Sequence, residues 1–189
     1  NHSFEDLAIY GLGMAVLVRP DAAPLQLNAA TVSQNLALVL GVDMQLGRNF
    51  TVAEDVPGGA SVVILTDRVW RDTFGADPRV VGSVFTIDDL PSEVIGVLPQ
   101  GLDYPAGETD VWMPIQQSQA TATRPNHWVR VVGRLQDGAS VASAQADMTR
   151  IMAELEVEYE ADNQNRGAFV EKLSDVGRGD IRSTLWVLF

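Results

Sequence analysis

The chain contains few side chains that could act as a nucleophile or a base. Its 189 residues include no cysteine and two histidines, His2 and His127. A hydrolase needs a nucleophile beside an orienting base, so this composition argues against covalent catalysis. Ser183 lacks the G-x-S-x-G context of a strand-to-helix nucleophile turn, and His127 is interpreted as a surface residue just before a strand rather than as a loop base. The sequence therefore predicts no catalytic residues and no enzymatic activity for this chain.

Sites for phosphate groups and metal ions are also poorly represented. A phosphate loop needs glycines between a strand and a helix, whereas Gly11-Leu12-Gly13 and Gly58-Gly59 each precede a strand. The only lysine, Lys172, lies in no Walker-type motif. The run Asp162–Gly167 has spaced oxygen ligands but carries Arg166 at the fifth position of a calcium loop, so a solvated loop is the preferred interpretation. We predict no cofactor and no metal.

Three charged residues in one loop are the strongest site candidates. Arg48 lies in Leu46-Gly47-Arg48-Asn49-Phe50, and Glu54-Asp55 follows it. We expect Arg48 to pair with Glu54 or Asp55 and so hold the loop. Contact with a partner protein is the functional alternative, and a metal bound by the two acids is disfavoured because adjacent acids in a loop usually face water. The loop is therefore predicted to be structural or partner-binding, not catalytic.

Four aromatic residues could form a platform for an aromatic or carbohydrate ligand. Each lies at an apolar helix or strand position, so core packing is the preferred interpretation. These residues are Trp70, Phe74, Trp112 and Trp128.

Composition narrows the class of protein. The hydrophobic fraction of 46% is ordinary for a globular domain, and the net charge of −12 with no basic run argues against nucleic acid as a partner. No internal apolar run reaches the roughly 20 residues that span a bilayer. Because the chain begins at Asn1 without a signal segment, we expect it to be part of a longer protein.

The elements that position these residues follow an α+β order. A helix is expected to end near Tyr10, and the longest helix follows the cap residue Ser140. The predicted strands are Met14–Val18, Pro24–Thr31, Ser61–Leu65, Val80–Ile87, Glu93–Leu98, Asp110–Ile115, Trp128–Leu135 and Ala168–Leu173, with Val80–Ile87 and Glu93–Leu98 joined by the five residues Asp88–Ser92. The predicted helices are Gln34–Leu40, one that Thr66 begins and Gly75 ends, and Val141 to about Ala161.

A series of turn and strand signatures runs in fixed order from Gly41 to Leu135. The ordered set resembles the MacB-like periplasmic core domain of ABC transporter permeases, and the resemblance extends over nearly the whole chain. The signatures are Gly41-Val42, Leu46-Gly47-Arg48-Asn49-Phe50, Glu54-Asp55, Val62–Leu65, Trp70, Phe74–Pro78, Val81-Gly82, Val94–Pro99, Asp110–Pro114 and Val132–Leu135.

The resemblance implies a specific domain organisation. Residues 1–45 and 116–183 would form a discontinuous porter-like α/β subdomain, and residues 46–115 an inserted β-rich, sabre-like subdomain. Residues 184–189 would begin a membrane helix, although the residues alone favour a short buried strand or the end of a core helix.

The resemblance also implies a location and partners. The domain would lie on the periplasmic, extracytoplasmic side of the bacterial cytoplasmic membrane, in a protein that is itself in the membrane. It would couple cytoplasmic ATP hydrolysis to export or mechanotransmission through a second permease subunit, an ATP-binding subunit or domain, and a periplasmic adaptor or a substrate. The alternative is a lipoprotein-releasing or cell-wall-hydrolase-regulating permease domain that binds a lipidated client or an enzyme partner.

Overall fold

The computed structural model describes residues 2–20, 22–102, 104–117, 129–164, 166–175 and 185–188. Its elements confirm the α+β class. The strands are β1 (Phe4–Val18), β2 (Leu25–Val32), β3 (Leu46–Gly47), β4 (Val62–Leu65), β5 (Val84–Ile87), β6 (Leu90–Val97), β7 (Val111–Pro114), β8 (Val129–Leu135), β9 (Val170–Lys172) and β10 (Leu185–Leu188). The helices are α1 (Leu36–Leu40), α2 (Asp67–Phe74), α3 (Val141–Glu158) and α4 (Glu160–Asn163), with short 3-10 helices at Pro78–Val80 and Leu173–Asp175.

The chain divides into two compact units, residues 10–121 and residues 1–9 with 122–189. These limits differ from those expected for an inserted segment, 46–115, because β1 from Tyr10 onward, β2 and α1 belong to the same unit as the strands that follow them. The division into porter-like and sabre-like subdomains stays a prediction.

The unit of residues 10–121 is built on a closed ring of strands. Around the ring the order is β1, β2, β7, β4, β6 and β5, and β5 pairs with β1 again. The β2–β7 and β4–β6 pairs are parallel and the others are antiparallel. The short strand β3 pairs with the end of β6.

Side chains from every strand of the ring fill one core. Helix α2 adds Val69 and Trp70 to it; Thr66 accepts a hydrogen bond from the Val69 amide at its start, and Gly75 ends it at a φ of 61°. This local chemistry explains why both ends of α2 were predictable. The strand residues of this core are Ala15, Leu17, Leu27, Ala29, Val63, Leu65, Ile87, Val94, Val97 and Val111.

The unit of residues 1–9 and 122–189 combines a small sheet with α3. In it the Phe4–Ile9 part of β1, β8, β10 and β9 are neighbours in that order, and β10 is parallel to both β8 and β9. Ser140 and Ser143 form a reciprocal capping box at the start of α3. The core contains Phe4, Leu135, Ala144, Met148 and Val170.

One predicted element was wrong, and two predicted boundaries differ from the structure. The segment around Tyr10 is not the end of a helix but part of the continuous strand β1, in which Gly11 and Gly13 pair with Thr31 and Ala29 of β2. The strand predicted at Val80–Ile87 begins at Val84.

The third correction concerns the connection between β5 and β6. It has two residues instead of five: Asp88 and Asp89 have φ values of 47° and 65°, as a type I′ turn requires, and β6 begins at Leu90. Proline usually interrupts a strand, but Pro91 lies within β6, where it is paired with Thr86 of β5.

The C-terminal segment differs from the helix that the family resemblance favoured. Leu185–Leu188 form β10, whose backbone pairs with strands on both sides. This matches the short-strand interpretation. Among the described residues, no helix combines the length and the apolar character that crossing a membrane requires.

Candidate functional site

Two glycines position the loop that carries the predicted site. Gly47 of β3 lies opposite Gly96 of β6, and the Arg48 amide donates to the Ile95 carbonyl at 2.9 Å. Gly47 has a φ of 73°, and a Cβ on it would collide with the Ile95 carbonyl oxygen. A Cβ on Gly96 would lie 2.7 Å from the Arg48 carbonyl oxygen. The close approach of β3 to β6 therefore depends on both glycines, and it fixes the backbone of Arg48.

Arg48 forms a two-point ion pair with Glu54, not with Asp55. Arg48 Nη1 donates to Glu54 Oε2 at 2.9 Å, and Nη2 donates to Oε1 at 2.6 Å. The amide and hydroxyl of Thr51 also donate to Oε2, at 2.7 and 2.9 Å. The Glu54 side chain is 10% exposed and that of Arg48 is 51% exposed. The edge of the guanidinium that carries Nη1 and Nη2 is thus held by the loop, and about half of the Arg48 side chain remains exposed to solvent.

These contacts strongly favour the ionised form of Glu54. The hydrogen bonds from Arg48 lower the pKa of Glu54 to about 2, and those from Thr51 act in the same direction, against the opposing effect of burial. Glu54 in turn raises the pKa of Arg48. A carboxylate with so low a pKa stays ionised near neutral pH and is a weak base, so Glu54 is suited to holding the loop and poorly suited to general acid–base catalysis.

Asp55 joins the loop to two other elements. Its Oδ2 accepts from the amide of Gln34, just before α1, and its Oδ1 accepts from the amide of Gln116, just after β7, both at 2.9 Å. The Gln116 side chain returns to the loop and donates to the carbonyls of Glu54 and Ala60. Gln116 has a φ of 48°, an uncommon left-handed conformation for a residue other than glycine. We call residues 48–60 the Arg48 loop; Gln34 and Gln116 anchor it to the rest of the unit.

Sequence inspection did not identify Gln34, Thr51 or Gln116 as part of this site. Thr51 lies three residues before Glu54, a spacing that could have suggested a local hydrogen bond. Gln34 and Gln116 reach the site only through the fold, and their sequence context gives no signal. The role of Arg48, Glu54 and Asp55 in partner contact stays a prediction.

The predicted aromatic candidates that the structure describes are core residues or line the core. Trp112 is completely buried and its Nε1 donates to the Tyr104 carbonyl at 3.0 Å. Trp70 is buried and donates to the Asp77 carbonyl, while Phe74 is half-buried and lies beside Phe85. The arrangement is core packing in place of a ligand platform. His127, Trp128 and Ser183 lie outside the described residues.

The remaining candidates show no arrangement for chemistry. Among the described residues, no group of three or more His, Cys, Asp or Glu side chains could hold a metal ion. Two residues of the calcium-like run Asp162–Gly167, Asp162 and Asn163, belong to helix α4 (Glu160–Asn163), and Asn165 lies outside the described residues. An open cleft of about 290 Å³ lies on the surface of the ring unit. It is lined by Phe74, Asp77, Arg79, Val80, Ser83 and Phe85.

Comparison with known proteins places this geometry in a family. The model of the MacB-like periplasmic core domain matches residues 8–151. The chain is 27% identical over 150 residues to the macrolide export ATP-binding/permease protein MacB of Burkholderia thailandensis, covering 78% of the chain and 23% of that protein. It is 28% identical over 149 residues to the MacB of Chromobacterium violaceum, covering 73% and 23%. The chain thus spans about a quarter of the length of these curated relatives.

Solved structures show the same fold. The periplasmic region of MacB from Actinobacillus actinomycetemcomitans matches with a TM-score of 0.63 at 16% identity, over 86% of this chain and 71% of that one. The extracellular domain of the ABC-type transporter YknZ from Gram-positive bacteria matches with a TM-score of 0.60 at 15% identity, over 84% and 78%.

The family match confirms two predictions made from the ordered signatures. The first is the family itself, since the matched region contains every signature from Gly41 to Leu135. The second is the location, because these domains lie on the periplasmic or extracellular side of the cytoplasmic membrane. The chain therefore belongs to the family of MacB-like periplasmic core domains of ABC transporter permeases.

Proposed function

We propose that this chain is a non-catalytic domain that couples ATP hydrolysis in the cytoplasm to export or mechanotransmission. The relatives are named as ATP-binding and permease proteins, and the chain corresponds to about a quarter of their length. ATP would bind to a separate nucleotide-binding domain or subunit, and a second permease subunit would complete a dimer. A periplasmic adaptor or the substrate would contact the domain from outside.

The observation that supports this proposal best is the closed order of paired strands in the ring unit. Mechanical coupling needs a body that moves without deforming, and in the ring β1, β2, β7, β4, β6 and β5 are joined by backbone hydrogen bonds in a closed order. The Arg48 loop adds side-chain bonds from α1 to the end of β7 through Asp55. The half-exposed Arg48 guanidinium at this surface is our candidate for contact with a partner.

The link to the membrane segments is assigned to α3 and β9. The Gln145 side chain of α3 donates to the Ala168 carbonyl and accepts from the Val170 amide, both at 2.8 Å, so the helix and the strand are bonded to each other. A force applied to one would be passed to the other. The chain then continues past Asp175 to its C-terminal segment.

A flexible insertion in this link tests the proposal. In the full-length permease with its ATP-binding component, a short Gly/Ser stretch is inserted after Asp175, and ATP hydrolysis and export are measured separately. We expect hydrolysis to continue while export falls, because motion would no longer pass through the link. The matched control places the same stretch between Ala22 and Ala23, two exposed residues in the connection from β1 to β2, outside the Arg48 loop and the α3–β9 link. Export that survives the insertion after Asp175 would contradict the proposal.

The alternative, binding of a lipidated client, would require an apolar groove. The described cleft beside Phe74 and Phe85 carries the exposed ion pair between Arg79 Nη2 and Asp77 Oδ2 at 2.6 Å. An ion pair at the mouth of an open cleft does not favour an acyl chain. This cleft therefore gives the lipidated-client alternative no support.

A further inference from the structure

The outer face of β1 carries a row of exposed aliphatic side chains. Leu12, Met14, Val16 and Val18 are 45%, 67%, 41% and 39% exposed. They are spaced two residues apart, so they all point to the same side of the strand, and the intervening Ala15 and Leu17 fill the ring. We call these residues the β1 stripe.

Such a stripe contributes nothing to the core of the ring. In an antiparallel pair with one buried face, the outward residues are normally polar, as Gln26 and Asn28 are on the neighbouring strand β2. These two residues lie opposite Val16 and Met14. The apolar side chains are thus a property of β1 and not of the whole face, and adjacent exposed apolar residues of this kind mark interaction sites.

The acidic tip of the β5–β6 hairpin is fixed beside the stripe. The Val16 amide donates to Asp88 Oδ1 at 2.8 Å, and the Asp88 amide donates to the Val16 carbonyl at 3.1 Å. Asp89 is exposed next to it, and Leu90, 60% exposed, extends the apolar surface. Apolar and acidic groups are therefore presented together in a fixed arrangement.

The basic residue that follows the stripe in the sequence, Arg19, makes its contacts elsewhere. Arg19 follows the stripe, but its Nη1 donates to the Thr73 carbonyl and its guanidinium lies over the Phe74 ring. In the described part of the chain, the stripe, the hairpin tip and the facing positions of β2 contain no lysine or arginine. The surface is thus apolar with a negative rim.

We propose that the β1 stripe docks a partner protein whose contact surface combines aliphatic side chains with flanking lysine or arginine. Burial of the stripe would supply affinity, and the carboxylates of Asp88 and Asp89 would orient the partner. An anionic membrane surface would be repelled by this rim, and a second copy would bring another acidic tip and another net charge of −12 against it. This inference rests on the proposed function and adds a contact surface to it. Because its test measures binding and not export, the docking proposal and the coupling proposal can fail independently.

The test uses the 189-residue chain and two labelled peptides. The probe carries valine at alternate positions and a lysine at each end; the control peptide has glutamate in place of each lysine. Fluorescence anisotropy is expected to show binding of the probe, weakened by salt, and at least about tenfold weaker binding of the control peptide. The double variant M14T/V16T should bind the probe at least about tenfold more weakly with unchanged circular dichroism. The matched variant L38T/V157T, changed at exposed aliphatic residues elsewhere, should bind as the original chain does.

Three results would overturn the proposal. One is equal binding of the probe by M14T/V16T and by the original chain. Another is the absence of probe binding together with binding to phosphatidylglycerol vesicles that depends on the stripe. The third is concentration-dependent dimerisation in sedimentation that M14T/V16T abolishes, which would identify the occupant as a second copy.

Discussion

Replacing Glu54 by glutamine tests whether the Arg48 ion pair stabilises the ring unit. The substitution keeps the size of the side chain and removes its charge. One of the two oxygens that accept from Arg48 becomes an amide NH₂, which faces the guanidinium as a second donor. The hydrogen bonds from Thr51 would have to share the oxygen that remains.

The expected magnitude follows from the pKa of Glu54. The difference between its ordinary value of 4.5 and about 2 in the fold corresponds to about 3 kcal/mol at neutral pH. Because the Arg48 side chain is 51% exposed, solvent screens the pair and this figure is a ceiling. We expect E54Q to lower the free energy of unfolding by about 1–2 kcal/mol at neutral pH.

The effect has a defined pH dependence. A carboxylate whose pKa is lowered by folding contributes its full stabilisation above its ordinary pKa and loses it as the pH falls toward the folded value. The stability difference between the original chain and E54Q should therefore be constant above about pH 5 and shrink as the pH falls from there toward about 2.

Urea unfolding followed by tryptophan fluorescence measures this difference, because Trp70 and Trp112 are buried in the ring unit. The matched control is E93Q, since Glu93 is exposed and acts on Arg48 only through its charge. We expect E93Q to change stability by less than about 0.5 kcal/mol. Equal losses in E54Q and E93Q, or a loss in E54Q that does not depend on pH, would refute the account of the ion pair.

Three further substitutions test other parts of the fold by urea or thermal unfolding. G96A should cost about 1–3 kcal/mol, because its Cβ would lie 2.7 Å from the Arg48 carbonyl oxygen; G13A, where a Cβ would meet no atom within 4 Å, should cost nothing measurable. D89G should stabilise the chain by about 0.5–1 kcal/mol, because glycine adopts the φ of 65° without the strain of a side chain and Asp-Gly is favoured in type I′ turns; a loss would indicate an unrecognised role of the carboxylate. S140A should cost about 1 kcal/mol and speed amide exchange in the first turn of α3, because the capping box is lost; unchanged exchange would contradict the cap.

Local chemistry made several element ends predictable. Gly41 and Gly75 end α1 and α2 in the left-handed conformation, and Ser140 begins α3. Each of these signals acts within one turn of the chain, where sequence is direct evidence. The end of α3 was predicted less accurately, at about Ala161. The helix stops at Glu158, and the chain turns at Tyr159 before α4.

Pairing over long distances could not be predicted in the same way. Ala29 of β2 pairs with Val111 of β7, and no local pattern near either residue indicates the other. Gly11 and Gly13 looked like interruptions because glycine weakens a strand by itself. In the fold, both are held by eight paired positions between β1 and β2.

In the candidate site, too, local contacts were predictable from the sequence and contacts between distant residues were not. A basic residue near two acids indicated that a loop contact would form, but spacing could not decide between Glu54 and Asp55. The fold decides, because Thr51 and Arg48 surround Glu54 while Gln34 and Gln116 occupy both oxygens of Asp55. Orientation of side chains, not their presence, was the missing information.

The closed order of strands in the ring unit also determines how another protein can bind it. An open sheet has two edge strands whose free amides and carbonyls can pair with a foreign strand and seed aggregation. Around the ring, each of the six strands β1, β2, β7, β4, β6 and β5 has a neighbour on both sides. Strand addition and domain swapping at these strands would require breaking existing pairs, so recognition must occur through side chains on the outer surface. At these six strands, the domain combines an exposed row of aliphatic side chains with backbone groups that already have neighbouring strands on both sides.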